Sequence, residues 1–380
     1  MLAIHLGLES SLGTSTAAAD RLVAARSPRD KSPRPARTPT FASRLVAWQR
    51  VQGRHDLPWQ GTRDAYRLWL SEVMLQQTQV ATVIPYYERF LARFPDVRAL
   101  AAAEDEAVMQ LWSGLGYYAR ARNLLKAARH VVERHGGVFP TAIEAVAELP
   151  GVGASTAAAI VAFSTGEPHA ILDGNVKRVF ARHFGVTGAV DSRETLEGLW
   201  AVARRELPRQ HVEAYTQGLM DLGATVCTRT KPACNRCPVA KSCVARETDR
   251  IAELPGRKAR RAVPLREITI FVALSRGDVL LFRRPDKGIW GGLWSLPEAS
   301  VGTSPEAWLA AQPGLALASA ETLPPFEHGF THFRLAVTPV LLRVRRPRTA
   351  PLPPGGLWLP LGDITGAALP APVKKLLASL

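Results

Sequence analysis

The sequence predicts a multidomain protein: an all-α part from Phe41 to Arg250, then a separate α+β domain from residue 265 to the end. Three observations carry this. Apolar residues recur with helical spacing through the first part, between Gly and Pro breaks. After Pro264 they regroup into short β-rich runs. All 4 cysteines fall between Cys227 and Cys243, as one local centre would need. A chain of 380 residues also exceeds what one ordinary core organises.

In chain order, residues 1–40 contain ARSPRDKSPRPARTPT, with too few apolar side chains to offset ordering entropy; a disordered leader is expected. Helices follow in FASRLVAWQR, DAYRLWLSEVML, YYERFLARF, NLLKAARHVVERHGG, STAAAIVAFS and NVKRVFARHFG. ELPGRKARRAVP, within 251–264, reads as an exposed basic linker, lying along phosphates or simply solvated. ITIFVALS and DVLLFRR around RGD form a hairpin-like pair. FRLAVTPVLLRV is a further strand and APVKKLLASL a closing helix.

Net charge is +15, which favours a polyanionic partner, because each cation set against a phosphate releases condensed counterions. No long basic amphipathic helix is present to dock on an acidic membrane, and no apolar run approaches a bilayer's thickness. Nucleic acid is the expected partner. Clustered rather than scattered cysteines point to a reducing compartment, hence a cytoplasmic protein.

The spacing Cys227-x6-Cys234-x2-Cys237-x5-Cys243 can wrap one compact centre. Structural zinc usually takes two close cysteine pairs, and only Cys234 and Cys237 make one; a 4Fe–4S cluster fits better, with zinc the alternative.

AVAELPGVGASTAAAIVAF reads as helix, tight turn, helix. Gly151 and Gly153 are expected to take backbone conformations that side chains would block. Amides at the start of the second helix then lack partners and form a phosphate site through Leu149, Gly151, Val152, Gly153 and Ser155. The plain alternative is a hairpin packing small residues.

Within SEVMLQQTQVATV stands Glu72, whose helical neighbours Leu68, Trp69, Leu75 and Gln76 include no cation. An acid so placed keeps its proton to higher pH, as a general acid needs near neutrality, unless a remote arginine holds it charged. Gln77 falls on the stripe Leu70, Val73, Met74, Val80 and Ile84, so the helix is expected to end near it and turn its glutamines toward a partner. Asp173, in ILDGNVKRVF, begins a helix and reads as an ordinary N-cap. One protonated and one ionised carboxyl group are also what glycosidic bond cleavage uses.

Together LPWQ (57–60), WLSEVMLQQTQVATVIPYYERF (69–90), GLGYYARARNL (115–125), LPGVGAST (149–156), ILDGNVKRVFAR (171–182) and MDLGATVCTRTKPACNRCP (220–238) with Cys243 resemble the MutY family of adenine DNA glycosylases, in the helix-hairpin-helix superfamily. The resemblance runs from about Phe41 to the C-terminus. It implies a helix-hairpin-helix glycosylase fold: a six-helix barrel module at 58–162, with the hairpin at about 145–163, and an iron–sulfur module from 41–57 and 163–250. The active site would lie in the cleft between them. The implied substrate is adenine mispaired with 8-oxoguanine, or with G, in double-stranded DNA, attacked by a monomer at the nucleoid. Glu72 would protonate adenine N7 and handle the water, and Asp173 would stabilise the sugar cation. Gln77, with Leu75, would wedge into the vacated stack, and Tyr117 would insert beside the oxidised guanine.

Where the related endonuclease III class carries a Schiff-base lysine, this chain has Ser155, so base excision without efficient strand cleavage is expected. Lys177 could trap an abasic site adventitiously. The C-terminal GGLWSLPE begins a Nudix signature, but after Glu298 the clustered acids that would hold magnesium are missing. The resemblance therefore implies a Nudix-like domain at 265–380 used for recognition, reading the lesion through Phe330, Thr331 and His332. The competing readings are a bifunctional glycosylase/lyase and a non-catalytic iron–sulfur DNA-binding protein.

Overall fold

The computed structural model describes residues 39–256, 262–330, 332–347 and 352–380. The predicted leader up to residue 38, the centre of the basic linker and Thr331 therefore lie outside the described residues.

Polar caps start many of the helices. Thr40 accepts from the Ser43 amide at the start of α1 (Phe41–Gln52). Asp64 accepts from Tyr66 and Arg67 ahead of α2 (Ala65–Leu75). α3 (Val80–Arg93), α4 (Val97–Ala101), α5 (Asp105–Trp112) and α6 (Ala119–His135) follow. α7 (Ile143–Ala147) and α8 (Ala154–Thr165) make the hairpin, and α9 (Gly174–Phe184), α10 (Arg193–Glu206) and α11 (Val212–Asp221) complete the main helices. A π-helical turn, Leu222–Val226, leads into the cysteine loop, which ends at the short α12 (Val244–Glu247). Among the described residues no helix is long and apolar enough to cross a membrane.

The run Tyr66–Ile84 is broken into two helices, as the glutamine on its apolar stripe led one to expect: α2 ends at Leu75 and α3 starts at Val80. Two cores result. One gathers Trp69, Leu70, Met74, Phe90 and Trp112, and extends onto the sheet of the C-terminal part. The other gathers α1, α9 and α11 around Leu45, Phe180 and Leu222. α8 serves both, with Ile160 in the first and Ala159 in the second. Full burial of side chains as large as Trp69 stabilises each core by about 3–5 kcal/mol per residue relative to alanine.

In the C-terminal part, β1 (Leu265–Ser275) and β2 (Asp278–Arg283) form the expected antiparallel pair, joined around Leu274 and Val279. β3 (Trp294–Ser295) and β4 (Glu298–Ala299) are short, followed by α13 (Pro305–Ala310), β5 (Ala316–Thr322), β6 (Phe326–Gly329), β7 (Arg334–Arg345), β8 (Gly356–Pro360) and α14 (Ala371–Leu377). The main path runs β3-β2-β1-β7-β5, with β1 and β7 parallel from Leu265↔Arg334 to Leu274↔Arg343. β4 joins β1, β6 joins β7 and β8 joins β2.

Candidate active site

Glu72 sits in the last turn of α2, in the wall of a cleft of about 550 Å3. Leu68, Glu72 and Leu75 share one stripe of α2 and line the cleft together. Leu75 thus belongs to the cleft wall rather than to the exposed turn that carries Gln77. The opposite wall comes from α1 and α11, through Gln49, Glu213 and Gln217, with Phe163 of α8. Arg54, Leu57, Trp59, Gln60 and Arg63, from the segment between α1 and α2, close it. The cleft therefore lies where helices of the two cores meet.

Burial pushes the Glu72 carboxyl group up to about 8, and the nearby charge of Asp173 adds to the rise. Asp173 is the N-cap of α9: its Oδ1 accepts from the Val176 amide at 2.7 Å. Burial raises its proton affinity too, against the Val176 and Asn175 amides and the charges of Arg178 and Lys177, which favour the carboxylate. The cap and the charged partner are one residue; the sequence offered them as alternatives.

Ser155, at the start of α8, accepts the Leu172 amide on its Oγ at 2.9 Å, tying the hairpin to the segment that ends in Asp173. Ser155→Ala leaves that partly buried amide without a partner. It is expected to cost about 1–2 kcal/mol in thermal or urea unfolding. Unchanged stability would show that this bond does not hold the segment.

The hairpin glycines differ from expectation at one position. Gly151 has φ +81, and a Cβ there would press on Asn123. Gly153 has φ −93, an ordinary conformation, so its freedom is not needed by the backbone. A Cβ at Gly153 would meet nothing, leaving the approach to the α8 N-terminus open. No side chain caps that end, while Leu149 and Val152 are buried and anchor the turn.

Gln77 is exposed with φ +58, and Tyr117 is 48% exposed with φ +49. Both stand in the left-handed region, which side chains other than glycine seldom occupy. In the C-terminal part Phe330 stacks on Phe333 at 4.7 Å and meets His328 edge-on at 4.8 Å. The Phe330 amide donates to the Phe333 carbonyl, closing a tight loop with His332 exposed. An open groove of about 740 Å3 near β1 and β4 includes Glu267 and Glu298, but Glu298 is paired with Arg284. Glu72, with Asp173 nearby, makes the first cleft the candidate site of chemistry.

Cys227, Cys234, Cys237 and Cys243 are free and line one small cavity of about 30 Å3 with Arg182. Burial, followed by mutual repulsion of the thiolates, pushes Cys237 up to about 11. Among the described residues, no three Cys, His, Asp or Glu side chains converge closely enough to hold a metal ion. Four thiols lining one cavity are nonetheless the donor chemistry an iron–sulfur group takes. Arg178 ties this loop to α9, donating to the Cys227 carbonyl at 2.7 Å and the Gly223 carbonyl at 2.6 Å. Gly223 is required here, since a Cβ would come within 2.6 Å of Asn175.

Two family models match: HhH-GPD superfamily base excision DNA repair protein over residues 70–205, and NUDIX domain over 269–379. The adenine DNA glycosylase of Buchnera aphidicola subsp. Acyrthosiphon pisum is 32% identical over 340 residues, 89% of this chain and 96% of that protein. The chain belongs to the adenine DNA glycosylase family. The human adenine DNA glycosylase is 33% identical over 403 residues, 88% of this chain and 73% of that one. A solved thermostable thymine-DNA glycosylase, 30% identical with a TM-score of 0.50, covers 55% of this chain and 95% of its own. As a member of the adenine DNA glycosylase family the protein is a base excision repair DNA glycosylase, with a helix-hairpin-helix glycosylase fold followed by a Nudix-like domain. The sequence had not singled out Arg54, Gln60, Arg63, Glu213 and Gln217, which give the cleft of this family member its polar wall. They are ordinary polar residues from distant segments, and only LPWQ carried a signal.

Proposed function

We propose that this glycosylase removes adenine mispaired with 8-oxoguanine, or with guanine, from duplex DNA and leaves the strand intact. The observation that carries this reading is Glu72 in the cleft wall, whose proton is retained at neutral pH and whose carboxyl group lies near enough to Asp173 to be raised further by its charge. Adenine leaves the stack and enters the cleft. The Glu72 carboxyl group donates its proton to N7, and the C1′–N9 bond breaks with its electron pair passing to the base. The Asp173 carboxylate stabilises the sugar cation. Water then adds to C1′, and the Glu72 carboxylate takes the proton that the water loses.

The free start of α8 takes a DNA phosphate through backbone amides, while Gln77 and Tyr117 fill the opened stack. Phe330 and His332, with Thr331 between them, read the oxidised base. Cys227, Cys234, Cys237 and Cys243 would hold a 4Fe–4S cluster, whose bonds to the four thiolates would tie the basic loop between them. Ser155 supplies no amine for a Schiff base, so the reaction stops at the abasic site.

The test uses duplexes carrying A opposite 8-oxoguanine, A opposite G, and thymine glycol opposite A, with and without alkali. Adenine release from the first two, with breaks only after alkali, is expected. Alkali-independent breaks, or preferred attack on thymine glycol, contradict the reading and favour a glycosylase/lyase.

A further inference from the structure

Arg120, in the first turn of α6, is 8% exposed and has no carboxylate partner among the described residues. Its Nη1 donates to the carbonyls of Val73 (3.0 Å), Met74 (2.6 Å) and Gln76 (2.7 Å). Its Nη2 donates to Thr78 Oγ1 (3.0 Å) and to the carbonyls of Leu115 (3.3 Å) and Gly116 (3.1 Å). The same guanidinium stands 5.3 Å from the Trp112 ring centre and 5.4 Å from that of Tyr117.

These contacts have a common sense. Val73 and Met74 lie in the last turn of α2, whose carbonyls lack intrahelical partners and favour a cation. Arg120 thus caps α2 from outside and fixes where it stops. It then reaches both sides of the turn that carries Gln77, and the loop that carries Tyr117. Left-handed backbone at such residues persists only where the surroundings over-determine it. Among the described residues, no other side chain hydrogen-bonds to both loops. Burial pulls the guanidinium down to about 10, so it remains charged at neutral pH.

We infer that Arg120 is a positioning residue that holds the Gln77 turn and the Tyr117 loop in register, and so sets how readily the enzyme draws a base out of the duplex. This rests on the reading that Gln77 and Tyr117 enter the opened stack. The fork of donors is essential, because a lysine ammonium presents one point and cannot span the two loops.

The test compares Arg120→Lys with Thr78→Val, which removes one of the Arg120 contacts together with the Thr78 hydrogen bond to the Gln76 carbonyl, in an otherwise intact Glu72→Gln protein whose excision is slow on the timescale of binding. Thermal unfolding and fluorescence anisotropy report folding and DNA binding. 2-Aminopurine opposite 8-oxoguanine reports unstacking. Arg120→Lys is expected to bind duplex within about 3-fold of its parent while losing most of the fluorescence rise, and with Glu72 restored to slow excision about 10–100-fold. Thr78→Val should show the same loss in smaller degree, and it alone decides the matter if Arg120→Lys does not fold. Gln77→Ala and Tyr117→Ala separate the two ideas. If neither lowers the fluorescence rise, the reading of the loops is wrong. If both lower it while the folded, DNA-bound Arg120 or Thr78 variant opens the duplex as fully as its parent, Arg120 has no such role.

Discussion

Glu72→Gln is expected to slow single-turnover adenine release by about 10²–10⁴-fold, at the upper end because one side chain acts on both the leaving base and the water. Glutamine keeps the size and hydrogen-bonding shape of the protonated acid but has no proton to give. The same substitution should stabilise the protein at alkaline pH. Between the ordinary value of 4.5 and the folded value of about 8, the folded chain keeps a proton that the unfolded chain has released. Wild-type stability therefore falls as pH rises through that window. The amide of the variant does not titrate, so its advantage over wild type should be near zero at pH 5. By pH 8.5 it should reach about 1–3 kcal/mol, discounted because the side chain borders the open cleft. Thermal unfolding of both proteins across this range checks the sign. A variant whose advantage is no larger at pH 8.5 than at pH 5 would show that the carboxyl group is already charged at neutrality.

Asp173→Asn separates the two things this residue does. Asparagine retains an Oδ1 that can accept from the Val176 amide, so α9 keeps its cap and stability should stay within about 1 kcal/mol of wild type. The negative charge facing the sugar cation is lost, and the excision rate should fall about 10²–10³-fold, as for removal of one preorganised electrostatic group. Rate and unfolding measured on the same preparation decide it. A large loss of stability with the rate nearly intact would make Asp173 a cap and nothing more.

Much of this site was legible in the sequence, and its limits have physical reasons. The raised proton affinity of Glu72 could be read from neighbours one helical turn away, because local spacing fixes which side chains surround it. The contribution of Asp173 to that rise could not, since the fold brings the two together across α3 to α8. The end of α2 near Gln77 was visible as a glutamine on an apolar stripe. The cause, Arg120, was not: among the arginines of GLGYYARARNL, nothing local says which one turns inward. Leu75, which spacing already set beside Glu72, lines the cleft with it. β1, β2, β7 and the closing helix of the C-terminal domain followed from β-rich runs and turn residues, whereas the other, shorter strands and α13 were not singled out, and the parallel pairing of β1 with β7 is a long-range register that no short pattern encodes.

The central claim is that Glu72 enters the reaction protonated at neutral pH and delivers that proton to the departing base. The most direct measurement is the wild-type single-turnover rate on an A opposite 8-oxoguanine duplex from pH 5 to 9.5, with enzyme saturating at each pH. A descending limb centred near pH 8 is expected, absent from the residual activity of Glu72→Gln. A rate that is flat or rising through pH 8 would contradict it.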